Sequence, residues 1–188
     1  QTAAGAYPNP TVGSSSGHGV LRDAGGSGSG SVLGRQSLTE YNVTVGQPVE
    51  WPAMRTAPLN HPNGATGYRI EHGGKSICYI TDTEHKEGER DPTIVELCRD
   101  ADLMIYDSSY TDAEYPRYRG WGHSTWQEAV RIADAASVAT VVLFHHDPSH
   151  DDAFMDGVAR DAAALRPGTA ANGLPRVIVA HEGLTLTP

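Results

Sequence analysis

From Tyr41 onward the chain is a succession of short apolar runs, each closed by glycine, proline or a charged residue, and two textures follow one another. Tyr41 to Val45 and Val49 to Thr56 read as short strands separated by Gly46-Gln47-Pro48. Leu59-Asn60-His61-Pro62-Asn63-Gly64 is turn-rich, and Gly67-Tyr68-Arg69-Ile70-Glu71 reads as a further strand. His72-Gly73-Gly74-Lys75 is a hairpin turn into Ser76-Ile77-Cys78-Tyr79-Ile80, so this part predicts antiparallel strands with loops gathered at one end. Beyond Asp82 the period changes. Glu84 to Asp91 reads as a charged loop, and Pro92 opens a helix ending near Asp102 with Ile94, Val95, Leu97 and Cys98 as its apolar stripe. Leu103 to Tyr106 predicts a buried strand tipped by Asp107, and Thr140 to Phe144 another tipped by His145. Between them Ser124 or Thr125 caps a helix, with Gln127 or Glu128 three residues on in a capping-box pattern and Val130, Ile132, Ala133 and Ala136 as its core face. Asp151 or Asp152 caps a third helix running to about Leu165, and Arg176 to Ala180 predicts a last strand. Strands alternating with helices predict an α/β layered fold.

Residues 1–37 break this rhythm. Nine glycines and seven serines with no 3.6 or 2.0 period predict a flexible tail or linker, because such a stretch buries too little apolar surface to offset its ordering entropy. The net charge of -9 argues against strong nucleic-acid or anionic-membrane binding by long-range attraction. It leaves room for a phosphorylated substrate, since a metal ion supplies local positive charge. Cys78 and Cys98 fall in apolar runs and read as packed thiols of a reducing, cytoplasmic environment. No run approaches the roughly 20 apolar residues that span a bilayer, so no membrane partner is expected.

The polar residues that matter sit where strands end. An Asp at the tip of a buried strand is costly unless paired, and Thr81-Asp82-Thr83 follows the strand ending at Ile80. His61 lies in a loop beside Pro62, where it is equally at home as a surface turn residue. The segment His145-His146-Asp147-Pro148-Ser149-His150-Asp151-Asp152 holds three His and three Asp in eight residues. That suits a divalent metal or acid–base chemistry, while Asp151 and Asp152 equally suit helix capping and His150 simple exposure. His123 precedes a helix, and Asp107 at a neighbouring strand tip could orient its imidazole.

In order, Leu59-Asn60-His61-Pro62, Gly67-Tyr68-Arg69-Ile70-Glu71, Thr81-Asp82-Thr83, Tyr106-Asp107, Gly122-His123-Ser124-Thr125 and Phe144-His145 resemble the C-terminal half of the metallo-β-lactamase fold. The phosphodiesterase and tRNA-maturation (RNase Z-like) branch is the part of that family they resemble. The resemblance implies an αββα-type sandwich over residues 41–188, incomplete at its N-terminal half. It implies His61, Asp82 and His145 as metal ligands, with Asp82 bridging two divalent ions, zinc before manganese or iron. It implies His123, backed by Asp107, as the residue meeting the scissile phosphate or protonating the leaving oxygen; His146 has no clear counterpart. The activity implied is hydrolysis of a small-molecule or nucleotide phosphodiester by a metal-bound hydroxide. The family's His-x-His-x-Asp-His segment has no match in residues 1–60, whose one histidine is His18. Three readings therefore stand beside a phosphodiesterase completed by a second chain or a homodimer. One is a degenerate, non-catalytic binding module, another a thioester or lactone hydrolase of the same superfamily. The third is a rearranged site built from His145, His146 and His150.

Overall fold

The computed structural model of the chain describes residues 52–188; the expected tail over 1–37 and the strand at Tyr41 to Val45 lie outside them. Six strands form one sheet: β1 (Ala53–Leu59), β2 (Ala65–His72), β3 (Lys75–Ile80), β4 (Leu103–Asp107), β5 (Thr140–Phe144) and β6 (Val177–Val179), side by side in chain order. The first three run antiparallel and the last four mutually parallel. Three helices fill the crossovers: α1 (Pro92–Cys98), α2 (Trp126–Ala135) and α3 (Asp152–Leu165). Consecutive parallel strands joined by right-handed crossovers place their helices on the same face. The core agrees, since Cys78, Ile80, Met104, Tyr106, Val141 and Leu143 from the sheet pack with Ile94 and Leu97 of α1, Ala129 and Ile132 of α2, and Val158 and Ala162 of α3.

Period 2 along the strands sets which residues meet the helices. Ser76, Cys78 and Ile80 are buried beneath them, whereas Tyr79 points to the opposite face, where it lies beside Tyr68 in register and near Phe144. The described residues thus supply a sheet with one helical layer.

Local signals account for most boundaries. Asp91 caps α1 through Thr93 and Ile94 N–H, Asp151 caps α3 through Phe154 N–H, and Thr125, not Ser124, caps α2 by accepting from Glu128 N–H at 3.1 Å. Two expectations need correcting. Helix α1 stops at Cys98, short of Asp102: Arg99 leaves the helical conformation at ψ +125° and Asp100 completes the turn at φ +52°. The capping box at α2 is half-formed: the buried Glu128 carboxylate is drawn instead to Arg131 (2.7 Å) and Arg90 (3.4 Å).

Tyr68-Arg69-Ile70 also finds its reason here. Arg69 is 8% exposed, and its guanidinium donates to the Leu97 and Arg99 carbonyls at the end of α1 (3.1 and 2.7 Å) and to Glu71 (2.6 Å). A cation on the orphan carbonyls of a helix C-terminus is favourable twice over, by hydrogen bonding and by the helix dipole. Replacing Arg69 with Met is expected to lower stability by about 2–3 kcal/mol, from lost charge-assisted hydrogen bonds. Urea denaturation checks this as a lower midpoint at unchanged slope.

A candidate metal centre at the strand tips

The parallel strands β3, β4 and β5 end at one edge of the sheet, the edge at which α/β folds place their sites. Asp82 lies two residues beyond β3, Asp107 closes β4, and His145 follows β5; His123 reaches the same edge from the turn before α2. Each of these four offers a donor atom, and the four atoms lie within 4.8 Å of one another.

Asp107 is the hub. Its carboxylate is fully buried and accepts from Thr83 N–H (3.2 Å), Ser109 N–H (3.3 Å), Ser124 N–H (3.3 Å) and His123 Nδ1 (2.9 Å). The Ser109 hydroxyl shares its proton between Asp107 (2.9 Å) and the His145 carbonyl (2.7 Å). Burial alone would raise the carboxyl pKa; the hydrogen bonds from His123, His145 and Ser109 and the charge of His123 overcome it and hold the group at about 2. The same hydrogen bond raises His123, against its own burial. With Nδ1 committed to Asp107, Nε2 is the ring nitrogen left to face a substrate.

Asp82 and His145 differ from Asp107 in both respects. They are half exposed, and among the described residues Asp82's carboxylate has only distant ion-pair neighbours, His123 and His145 Nδ1, each at 3.9 Å. Both residues also sit in the left-handed region, at φ +59° and +64°. Non-glycine residues there carry about 1–3 kcal/mol of strain, which persists where the surroundings fix it. An open carboxylate and an open imidazole held in strained geometry fit a divalent cation, whereas Asp107, its lone pairs already engaged, fits as the group that orients histidines.

His61 arrives at the same edge outside this group of four. Its ring meets His123 edge-on at 5.8 Å between centroids and packs on Gly122, where an added Cβ would lie 2.2 Å from His61 Cδ2. Nδ1 accepts from Asn63 N–H at 3.2 Å; coordination through Nε2 would place the ring proton on Nδ1 and open that hydrogen bond. His146 and His150 are turned elsewhere, which removes the rearranged site. His146 Nε2 pairs with the Ala180 carbonyl at 3.2 Å. His150 is not exposed: its ring donates to Glu114 at 2.9 Å and stacks on Phe154.

A sheet edge carrying two aspartates and two histidines with converging donor atoms has the chemistry to hold a divalent cation. The family model of the beta-lactamase superfamily domain matches residues 36–146, and the chain belongs to that family. It is 31% identical to a ribonuclease Z of Kineococcus radiotolerans over 81% of this chain and 52% of that protein. It is 29% identical to a ribonuclease Z of Brevibacillus brevis over 58% of this chain and 34% of the relative. The chain thus spans about half, or less, of the length of these curated relatives. Among solved structures, the metallo-beta-lactamase fold protein YhfI from Bacillus subtilis matches with a TM-score of 0.57 at 21% identity, over 73% of this chain and 50% of that one. Human tRNase Z, short form, matches with a TM-score of 0.54 at 21% identity, over 75% and 45%. These likenesses establish the metallo-β-lactamase fold.

Several residues that hold the centre together carry no period or motif of their own. Ser109 acts through Asp107, as does Ser124 of the Gly-His-Ser-Thr motif, and His85, part of the charged loop in the sequence, reaches back to the Ser124 hydroxyl at 2.8 Å. His85 also stacks on Tyr115, whose hydroxyl donates to the His85 carbonyl. Burial, aided by the Arg131 charge, lowers the His85 pKa to about 4. Its folded pKa is below the ordinary value near 6.5, so the neutral ring contributes stability above pH 6.5. That contribution is lost as pH falls from about 6.5 to about 4. A His85→Gln variant is expected to lose less stability than wild type across that window, measured as the change in thermal midpoint at matched pH values.

Proposed function

We propose that this chain carries part of the metal centre and the proton-handling pair of a metal-dependent phosphodiesterase acting on RNA. The observation that carries the reading is the convergence of Asp82, His145 and the Asp107–His123 pair on one strand edge. The ribonuclease Z relatives favour RNA over other phosphodiesters. In this reading Asp82 and His145, with His61, hold divalent ions, zinc before manganese or iron. When bound, such ions supply positive charge for the phosphate oxygens and lower the pKa of water at the site.

The chain's own residues do the rest. Asp107 fixes the imidazole of His123 with Nδ1 protonated and stabilises its cationic form, so that Nε2 can give a proton to the departing oxygen. The hydroxyl and backbone donors around Asp107 keep that carboxylate ionised and immobile, so its charge stays beneath His123 throughout. A full pair of ions needs more donors than three, so the reading includes a further segment, in cis or from a partner chain, that supplies them. Among the described residues no helix is long and apolar enough to cross a membrane; on the ground of the buried free thiols of Cys78 and Cys98 we place the protein in the cytoplasm.

Elemental analysis of the purified protein after dialysis against a weak chelator tests the reading. Bound zinc in wild type is expected to be lost in Asp82→Ala. His123→Ala is expected to retain metal while turnover of a phosphodiester or RNA oligonucleotide falls about 10²–10⁴-fold, the usual contribution of general acid catalysis. Full metal in Asp82→Ala would overturn the ligand assignment. Turnover of a lactone or thioester in place of phosphodiesters would move the chain to another activity of the superfamily. Neither metal nor turnover would make it a binding module.

A further inference from the structure

Glu84 stands two residues beyond Asp82 and makes two different connections. Its carboxylate accepts from Gly120 N–H (2.8 and 3.0 Å to its two oxygens) and from Gly122 N–H (2.9 Å). Its backbone closes on Asn60 in both directions: Glu84 N–H donates to the Asn60 carbonyl, and Asn60 Nδ2 donates to the Glu84 carbonyl, each at 2.8 Å. Asn60 immediately precedes His61, and Gly122 immediately precedes His123. One residue therefore ties together the two loops that present these histidines.

The turn is shaped for that carboxylate. Gly120 and Gly122 take φ +87° and +90°, a conformation open to glycine that aims both N–H groups at one anion. The approach is also tight: any side chain at Gly122 would collide with the His61 ring and with Pro62. The contact between His61 and Gly122 thus leaves no slack, and Glu84 is what draws the turn into it.

We propose that Glu84 is a positioning residue of the metal centre, a latch that fixes the His61 and His123 rings relative to each other. This rests on the proposed function for its purpose, though not for its geometry. Hydrogen bonds from backbone N–H groups to a carboxylate are of the stronger, charge-assisted kind. Glu84→Gln keeps the size of the side chain but turns an amide N–H₂ toward one of the two glycine N–H groups. Glu84→Ala removes the latch entirely. Supporting groups behind metal ligands are typically worth about 10–100-fold in metal affinity.

The test compares wild type, Glu84→Gln and Glu84→Ala as full chains, first without metal and then titrated with zinc. In metal-free, ¹⁵N-imidazole-labelled protein, the ring signals of His61 and His123 are expected to shift in both variants, more in Glu84→Ala. The signals of His146 and His150, anchored on Ala180 and Glu114, are expected to stay in place. Zinc affinity is expected to fall about 10–100-fold in Glu84→Ala and less in Glu84→Gln. A carboxylate that only stabilised its loop would lower the melting temperature and leave the ring signals and zinc affinity unchanged in the folded variants; that result would overturn the proposal. Wild type that takes up no zinc would overturn the reading that this chain alone holds an ion, while the ring signals would still decide the latch. Should Glu84→Ala not fold, the near-isosteric Glu84→Gln carries the decision by the same two readouts.

Discussion

Everything at the functional edge depends on keeping one buried negative charge, that of Asp107. An ionised carboxylate with no access to water is expensive, and the cost is bearable only when donors surround it. Here the donors come from four places in the chain: Thr83 beyond β3, Ser109 beyond β4, His123 and Ser124 before α2, and His145 beyond β5. Satisfying the charge is therefore the same event as assembling the site. A chain that failed to gather these segments would bury an unpaired anion, so the fold and the constellation stand or fall together.

The opposite end of the same strand shows what a merely structural carboxylate looks like. Asp102, just before β4, accepts from Ser76 N–H and its hydroxyl and pairs with Lys75 at 3.2 Å. It ties β3 to β4 at the wet edge and belongs to no group of potential metal-ligating side chains among the described residues. Asp107 ties strands too, but the groups it ties are imidazoles, His123 and His145, and beside them stands Asp82, in strained backbone like His145 and with its carboxylate open. Strain alone is not the discriminator, since Asp100 and Ser137 also have positive φ at ordinary turns. Convergence is: Asp82 and His145 bring ligand atoms within 4.8 Å of those of Asp107 and His123.

Much of this was legible in the sequence because it follows from period and punctuation. The parallel strands end within a residue or two of their expected tips, Asp151 caps α3, and the apolar stripe of α2 is buried as its spacing requires. Asp82, Asp107 and His145 were marked by ending apolar strands and His123 by preceding a helix, and the family resemblance rather than the spacing implied their roles. What was not legible depends on contacts between segments far apart in the chain. Glu84 and His85 look like ordinary members of a charged loop until their partners, some 35 residues away, are known. The misjudged residues in the His145–Asp152 segment fail for the same reason. Composition suggested a cluster of three histidines, but the turn through Asp147 and Ser149 sends His146 and His150 to different neighbours.

Charge gives the last constraint on what the edge can do. The chain is acidic overall, and the site itself adds two carboxylates with no lysine or arginine among its four converging residues. A phosphodiester, itself anionic, would be repelled from Asp82 and Asp107 at close range, where neither water nor salt screens fully. Raised histidine pKa values soften the repulsion but do not reverse it, since the positive charge they favour on His123 sits against the ionised Asp107 carboxylate. Under the proposed function, a divalent ion held by Asp82 and His145 would reverse it, since such an ion would be the largest local charge and would turn an acidic pocket into an anion site. Under the proposed function the acidic composition would also have a use, leaving RNA unattracted at a distance and confining affinity to the place of the ion.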